Sequence, residues 1–82
     1  MYTYEQIKED VQEIFRDIFD DDGIVVTEEL SAKDIYDWDS LMQIRLVEAI
    51  ESHFKIEFVY DEITGMKNVG EMLNLIKNKT EQ

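Results

Sequence analysis

Ser40, His53 and twenty carboxylates are the side chains of this 82-residue chain that hydrolysis or metal binding would draw on. A serine nucleophile needs a base within hydrogen-bond reach. His53 is the only histidine, and the spacing of apolar residues around the pair puts both on one helix. Thirteen residues of helix separate them by roughly 20 Å, so they cannot touch. No Gly-x-Ser-x-Gly elbow surrounds Ser40. His53 reads as a solvated residue near a helix C-terminus, where positive charge is favoured.

Asp20, Asp22, Gly23 and Glu29 match the third, fifth, sixth and twelfth positions of a calcium loop. The first position falls on Ile18, which offers no oxygen and belongs to an apolar stripe. The cluster therefore reads as a charged helix stop that binds cations loosely at most, and no dedicated metal site is expected. The remaining carboxylates form a solvated surface, because a chain this short has no walled pocket to drive their pKa values apart.

The segment from Tyr36 to Leu41 (Tyr-Asp-Trp-Asp-Ser-Leu) is the most informative. One reading is structural: an acidic helix cap with an anchoring tryptophan. The other is functional. Ser40 closes a long loop and opens a helix, so its hydroxyl is exposed on a fixed frame. Free N–H groups and the positive end of the dipole there favour a phosphate. Both readings stand on the residues alone.

The elements that position this segment follow from periodicity. Thr3 and Gln6 have capping-box spacing. Ile7, Val11, Ile14, Phe15, Ile18 and Phe19 then form one helical stripe. Glu5, Lys8, Glu9, Gln12, Glu13, Arg16 and Asp17 fall largely on the other face. This predicts a first helix over Tyr4 to Phe19, stopped by Asp20-Asp21-Asp22-Gly23. Ile24 to Tyr36 reads as a long loop anchored by Val26, Leu30 and Ile35, with short turns near Thr27–Leu30 and Ala32–Tyr36. Asp39 or Ser40 caps a second helix over Ser40 to His53. Its core stripe is Leu41, Ile44, Val47, Ile50 and Phe54, widened by Leu46. Lys55 to Phe58 reads as extended. Asp61 would cap a brief turn through Met66. Asn68 would cap a last helix with Val69, Met72, Leu73 and Ile76 on its apolar face. The expected fold is all-α, a small four-helix bundle with three main helices and one short one, as one domain over residues 1–82.

Charge limits the partners. The formal net charge is −12 and the pI about 4.2, which repels nucleic acid and anionic membranes and draws basic protein surfaces. Hydrophobic content of 44% is too high for a disordered acidic tail. With no cysteine, disulfides and thiolate metal sites are excluded. No apolar run approaches the roughly 18 residues of a membrane span. The first ten residues are acidic and patterned, unlike a signal peptide, so a cytoplasmic monomer is the expectation.

On these residues the chain resembles the acyl carrier protein family, including the carrier domains of polyketide and nonribosomal peptide assembly. The likeness covers nearly the whole chain. Its signature is Asp39-Ser40-Leu41 followed by Ile44, Leu46-Val47, Ala49-Ile50-Glu51 and Phe54, at the right depth in an acidic helical chain. The resemblance implies no enzyme activity. It implies that a phosphopantetheinyl transferase attaches 4′-phosphopantetheine from coenzyme A to Ser40. The thiol of that group would hold an acyl or aminoacyl cargo as a thioester for presentation to loading and acceptor enzymes. By the same likeness, Asp39 would help the transferase recognise the serine, and Leu41 would both pack and contact partners. Leu41, Met42, Arg45 and Glu48 on helix 2 would form the docking face. Without a prosthetic group, the chain would be an acidic helical interaction module.

Departures from the family pattern narrow the reading. Asp37 and Trp38 stand where carriers of fatty acid synthesis usually have a glycine, and Met42 and Arg45 where they usually have acids. Met42, Arg45, Glu48 and Ser52 share a face by three- and four-residue spacing. The Trp-Asp-Ser-Leu form looks more like a free-standing carrier of a specialised acyl or aminoacyl pathway. The apolar faces of helices 1, 2 and 4 could part to admit the cargo, with Met42, Met66 and Met72 soft enough to permit it; the alternatives are cargo left in solvent and methionines that are ordinary core or surface residues.

Overall fold

The computed structural model describes residues 2–81 and contains four helices: α1 Tyr4–Ile18, α2 Ser40–Phe54, α3 Tyr60–Gly65 and α4 Val69–Thr80. No strand occurs among the described residues. The all-α, four-helix architecture matches the expectation from periodicity, with ends shifted by a residue. Phe19 is the C-cap of α1 and not its last turn. At the other end of that helix, the Thr3 hydroxyl accepts the Gln6 N–H at 3.1 Å. Gln6 Oε1 accepts the Thr3 N–H at 3.0 Å in return, the reciprocal capping box.

The core is one cluster. Ile7, Val11 and Phe15 of α1 meet Leu46, Val47, Ile50 and Phe54 of α2 and Val69, Met72, Leu73 and Ile76 of α4. Two members of the expected α2 stripe are not in it. Leu41 is 58% exposed and Ile44 54%. The buried residues of α2 are Leu46, Val47, Ile50 and Phe54, so the side of the stripe that carries Leu41 and Ile44 faces solvent and the Leu46 side faces the core.

The loop between α1 and α2 is built on α1. Lys8, Gln12 and Arg16, which the sequence pattern put on the solvent side, are half-buried and hold the loop instead. Arg16 Nε donates to the Ile24 carbonyl at 2.8 Å. Gln12 Oε1 accepts the Val26 N–H at 3.0 Å. Lys8 Nζ pairs with Glu28 at 3.0 Å. The register has a simple cause. Four helical residues advance about 6 Å and two extended residues about 6.6 Å. An extended segment running back along α1 therefore meets every fourth helix residue with every second loop residue. Ile24 and Val26 turn into the core while Val25 between them is 63% exposed. Side chains of α1 thus satisfy backbone groups that a neighbouring strand would otherwise bind.

The far end of the loop caps α4. The Val69 and Gly70 N–H groups donate to Leu30 and Glu28 carbonyls at 2.8 and 2.9 Å. A Cβ at Gly70 would lie 3.1 Å from the Glu28 carbonyl oxygen, so any larger residue would press the loop away from the helix start. The Asn68 side chain accepts the Glu71 N–H at 3.0 Å, as expected of the cap. The expected turn at Thr27–Leu30 is present, while the next one is closed from Ser31 to Asp34, earlier than the sequence suggested.

Short α3 differs most from expectation. Asp61 is inside the helix, and the cap position is Val59. The missing cap side chain is replaced from within: Glu62 Oε1 accepts the Val59 N–H at 2.9 Å. Glu62 also pairs with Lys79 of α4 at 3.0 Å, and Lys79 lies 5.5 Å from the centre of the Phe58 ring. Both bonds hold the Glu62 carboxyl below the ordinary carboxylate range, the backbone N–H contributing most.

Candidate functional site

Asp39 and Ser40 both had the chemistry of a helix cap, and the fold gives the role to Asp39. Its backbone is extended, and its Oδ1 accepts the Met42 N–H at 2.9 Å. Ser40 is thereby released. It is the first residue of α2, it is exposed, and its hydroxyl has no hydrogen-bond partner among the described residues. The N–H groups of Met42 and Gln43 are used by Asp39. Those of Ser40 and Leu41 precede any intrahelical acceptor and point out of the helix start. An oxyanion attached to the Ser40 oxygen would sit against them and the positive end of the α2 dipole.

Trp38 fixes the approach to this helix start. Its ring meets Phe15 edge-on, centroids 5.2 Å apart at 84°, and lies 6.1 Å from Phe19. Its Nε1 donates to Gln43 Oε1 at 2.7 Å. The peptide between is drawn tight by Asp39 N–H donating to the Asp37 carbonyl at 3.0 Å. The tryptophan anchor thus joins the end of α1 to the first turn of α2, with Ser40 carried between.

A cleft of about 560 Å³ opens beside Ser40. Trp38, Gln43 and Ile44 form one wall, and Tyr60, Ile63 and Met66 of α3 and its C-cap form the other. Met72 of α4 also lines it. The cleft therefore lies between α2, α3 and the start of α4. Residues of α1 do not line it; Met66 and Met72 do, and Met42 does not. Sequence reasoning missed Ile44 and Tyr60 here. Ile44 sits at core spacing and carried no mark of exposure. Tyr60, 77% exposed, lay in a segment without periodicity.

The other candidate residues are placed apart from this cleft. His53 is not simply solvated: its Nε2 lies 3.0 Å from Asp10 Oδ2, tying α2 to α1, and its ring packs edge-on against Phe54. In the Asp20–Glu29 segment, Asp21 Oδ1 accepts the Gly23 N–H at 2.9 Å, and Ile18 packs against the core. Among the described residues, no three His, Asp or Glu side chains gather as a metal ion would require. Of the expected docking residues, Leu41, Arg45 and Glu48 are exposed and Met42 is half-buried. No helix of the described residues is long and apolar enough to cross a membrane.

No family model matches the chain, and no curated protein does. A solved structure does: the solution NMR structure of a holo acyl carrier protein from Geobacter metallireducens. It is 43% identical and superposes with a TM-score of 0.87, covering 92% of this chain and 86% of that one. With that identity over that length, the same four helices and the Asp-Ser-Leu start of α2, the chain belongs to the acyl carrier protein family.

Proposed function

We propose that Ser40 carries 4′-phosphopantetheine and that the chain presents an acyl or aminoacyl group, held on it as a thioester, to partner enzymes. As a member of its family the chain is a carrier and not an enzyme. The observation that carries the proposal is the free, exposed Ser40 hydroxyl at the first position of α2, beside an open cleft. The residues present fit the group. Two N–H groups at the helix start suit its phosphate, and the wall of Ile44, Tyr60, Ile63 and Met66 suits a flexible arm with an apolar cargo. When bound, the group supplies the thiol on which cargo is held. The chain's own residues fix the attachment point and keep the helix start rigid; Asp39 and Trp38 do this. Tethering then raises the effective concentration of cargo at each partner.

Asp39 has a second role in this reading, as the carboxylate by which a phosphopantetheinyl transferase recognises the serine. Leu41, Arg45 and Glu48, with half-buried Met42, form the docking face for that transferase and for loading and acceptor enzymes. The Trp38-Asp39-Ser40-Leu41 form and the mixed charge of α2 support a specialised acyl or aminoacyl pathway.

Incubation with coenzyme A and a broad-specificity transferase, followed by intact mass, tests the attachment. A gain of one phosphopantetheine, absent in Ser40→Ala, is expected. No gain under conditions that modify a control carrier would overturn the reading and leave an acidic helical interaction module.

A further inference from the structure

The chain's charge is unevenly distributed. Residues 1–39 hold thirteen Asp and Glu against three Lys and Arg; residues 40–82 hold seven against five. Next to Ser40, α2 has no acid from Ser40 through Val47. That stretch instead exposes Leu41, Ile44 and Arg45, and Tyr60 stands across the cleft mouth, all four in water. Ile44 and Tyr60 line the same cleft and Leu41 stands one turn before Ile44; exposed apolar side chains grouped in this way mark interaction surfaces. Arg45 is the one charged side chain from Ser40 to Val47, and like Lys33, Lys55 and Lys67 it has no carboxylate partner among the described residues. Glu48 follows one turn on, and Asp61 adjoins Tyr60, both exposed; neither engages it.

We propose that the enzyme that loads Ser40 seats an apolar surface on Leu41, Ile44 and Tyr60 and sets a carboxylate against Arg45. Recognition at contact then runs through an apolar, cation-bearing island and not through the chain's overall negative charge. This deepens the carrier reading and rests on it. The complementarity is local. A guanidinium matches a carboxylate through paired hydrogen bonds, whereas a basic patch seated here would meet Arg45 head-on. The acidic half of the chain still steers a partner from a distance, but steering sets approach and the island sets fit. A second copy of this chain is a poor occupant, because each copy brings a net charge of −12.

The test uses the full chain, coenzyme A and the phosphopantetheinyl transferase of the source organism, with KM and kcat read by mass. Arg45→Glu is expected to raise KM roughly tenfold with kcat unchanged. Arg45→Lys, which keeps the charge and loses the fork, should fall between. Ile44→Ala combined with Tyr60→Ala should raise KM without changing its salt dependence. Circular dichroism checks that each variant keeps its helices. A lower KM for Arg45→Glu would overturn the proposal in favour of a basic partner surface, and an unchanged KM would show that the face is not used. A dimer in sedimentation that Ile44→Asp dissolves would assign the island to self-association instead. If the unmodified chain is not loaded at all, the carrier reading itself fails, before any variant is compared.

Discussion

Trp38 and Gln43 are joined by a 2.7 Å hydrogen bond from the indole Nε1 to the amide oxygen, and the bond spans the residue proposed to carry the cargo arm. The indole belongs to the packing of α1 through Phe15, while Gln43 belongs to the first turn of α2. Ser40 is therefore positioned by a bond that spans it and by the packing of Trp38 on α1, and not by a contact of its own side chain.

Breaking that bond while keeping the aromatic packing isolates its contribution. Gln43→Ala is expected to cost about 0.5–1.5 kcal/mol in urea unfolding, the ordinary net worth of one hydrogen bond. Trp38→Phe should cost at least as much, since it also removes ring area from the Phe15 contact. Trp38→Phe combined with Gln43→Ala should cost less than the sum of the two, because both remove the same bond. Full additivity would show that the bond does not form in solution.

Asp39 has two proposed roles, and one substitution separates them. Asn caps a helix about as well as Asp, whereas Ala costs about 1 kcal/mol. Asp39→Asn is therefore expected to keep its thermal stability and lose most of its loading by the transferase. Asp39→Ala should lose both. If Asp39→Asn is loaded at the unmodified rate, the carboxylate acts as a cap alone.

Val47 and Ile44 lie three residues apart on α2 with opposite environments, 2% and 54% exposed. Val47→Ala should cost about 1–3 kcal/mol of stability. Ile44→Ala should stay within about 0.5 kcal/mol, as surface substitutions do. Equal losses in chemical denaturation would mean that Ile44 is buried in solution.

The loop splint gives a signed pH dependence. Lys8 donates to Glu28, and that hydrogen bond holds the Glu28 carboxyl below its ordinary value and raises the Lys8 ammonium above its own. A carboxyl with a depressed folded pKa contributes stability that is present above its unfolded pKa and lost as the pH falls through the folded one. Net repulsion among the acids changes in the opposite sense on acidification, so the informative quantity is a difference. The stability gap between the unmodified chain and Lys8→Met is expected to be present at neutral pH and to close below about pH 4. A gap that persists in acid would assign the effect of Lys8 to packing of its methylene stem.

The sequence by itself determined the helices and their buried faces. The spacing of Ile7, Val11 and Phe15, and of Val69, Met72, Leu73 and Ile76, admits one amphipathic solution, and Thr3 and Asn68 supply caps. It also marked Ser40, because a serine between a long loop and a capped helix start has a short range of uses. Periodicity does not reveal which neighbour a face meets, and there only the tertiary structure decided. Lys8, Gln12 and Arg16 have solvent-facing spacing, yet an extended loop arrives in register to use them. Ile44 has core spacing, yet α2 turns its Leu46 and Val47 side to the core and leaves Ile44 on the cleft. Asp39 and Ser40 were equal candidates for the cap until the backbone at Asp39 turned its carboxylate onto the Met42 N–H. That choice left the Ser40 hydroxyl free, and it depends on Trp38 being held against a helix more than twenty residues earlier in the chain, a distance that no local pattern spans.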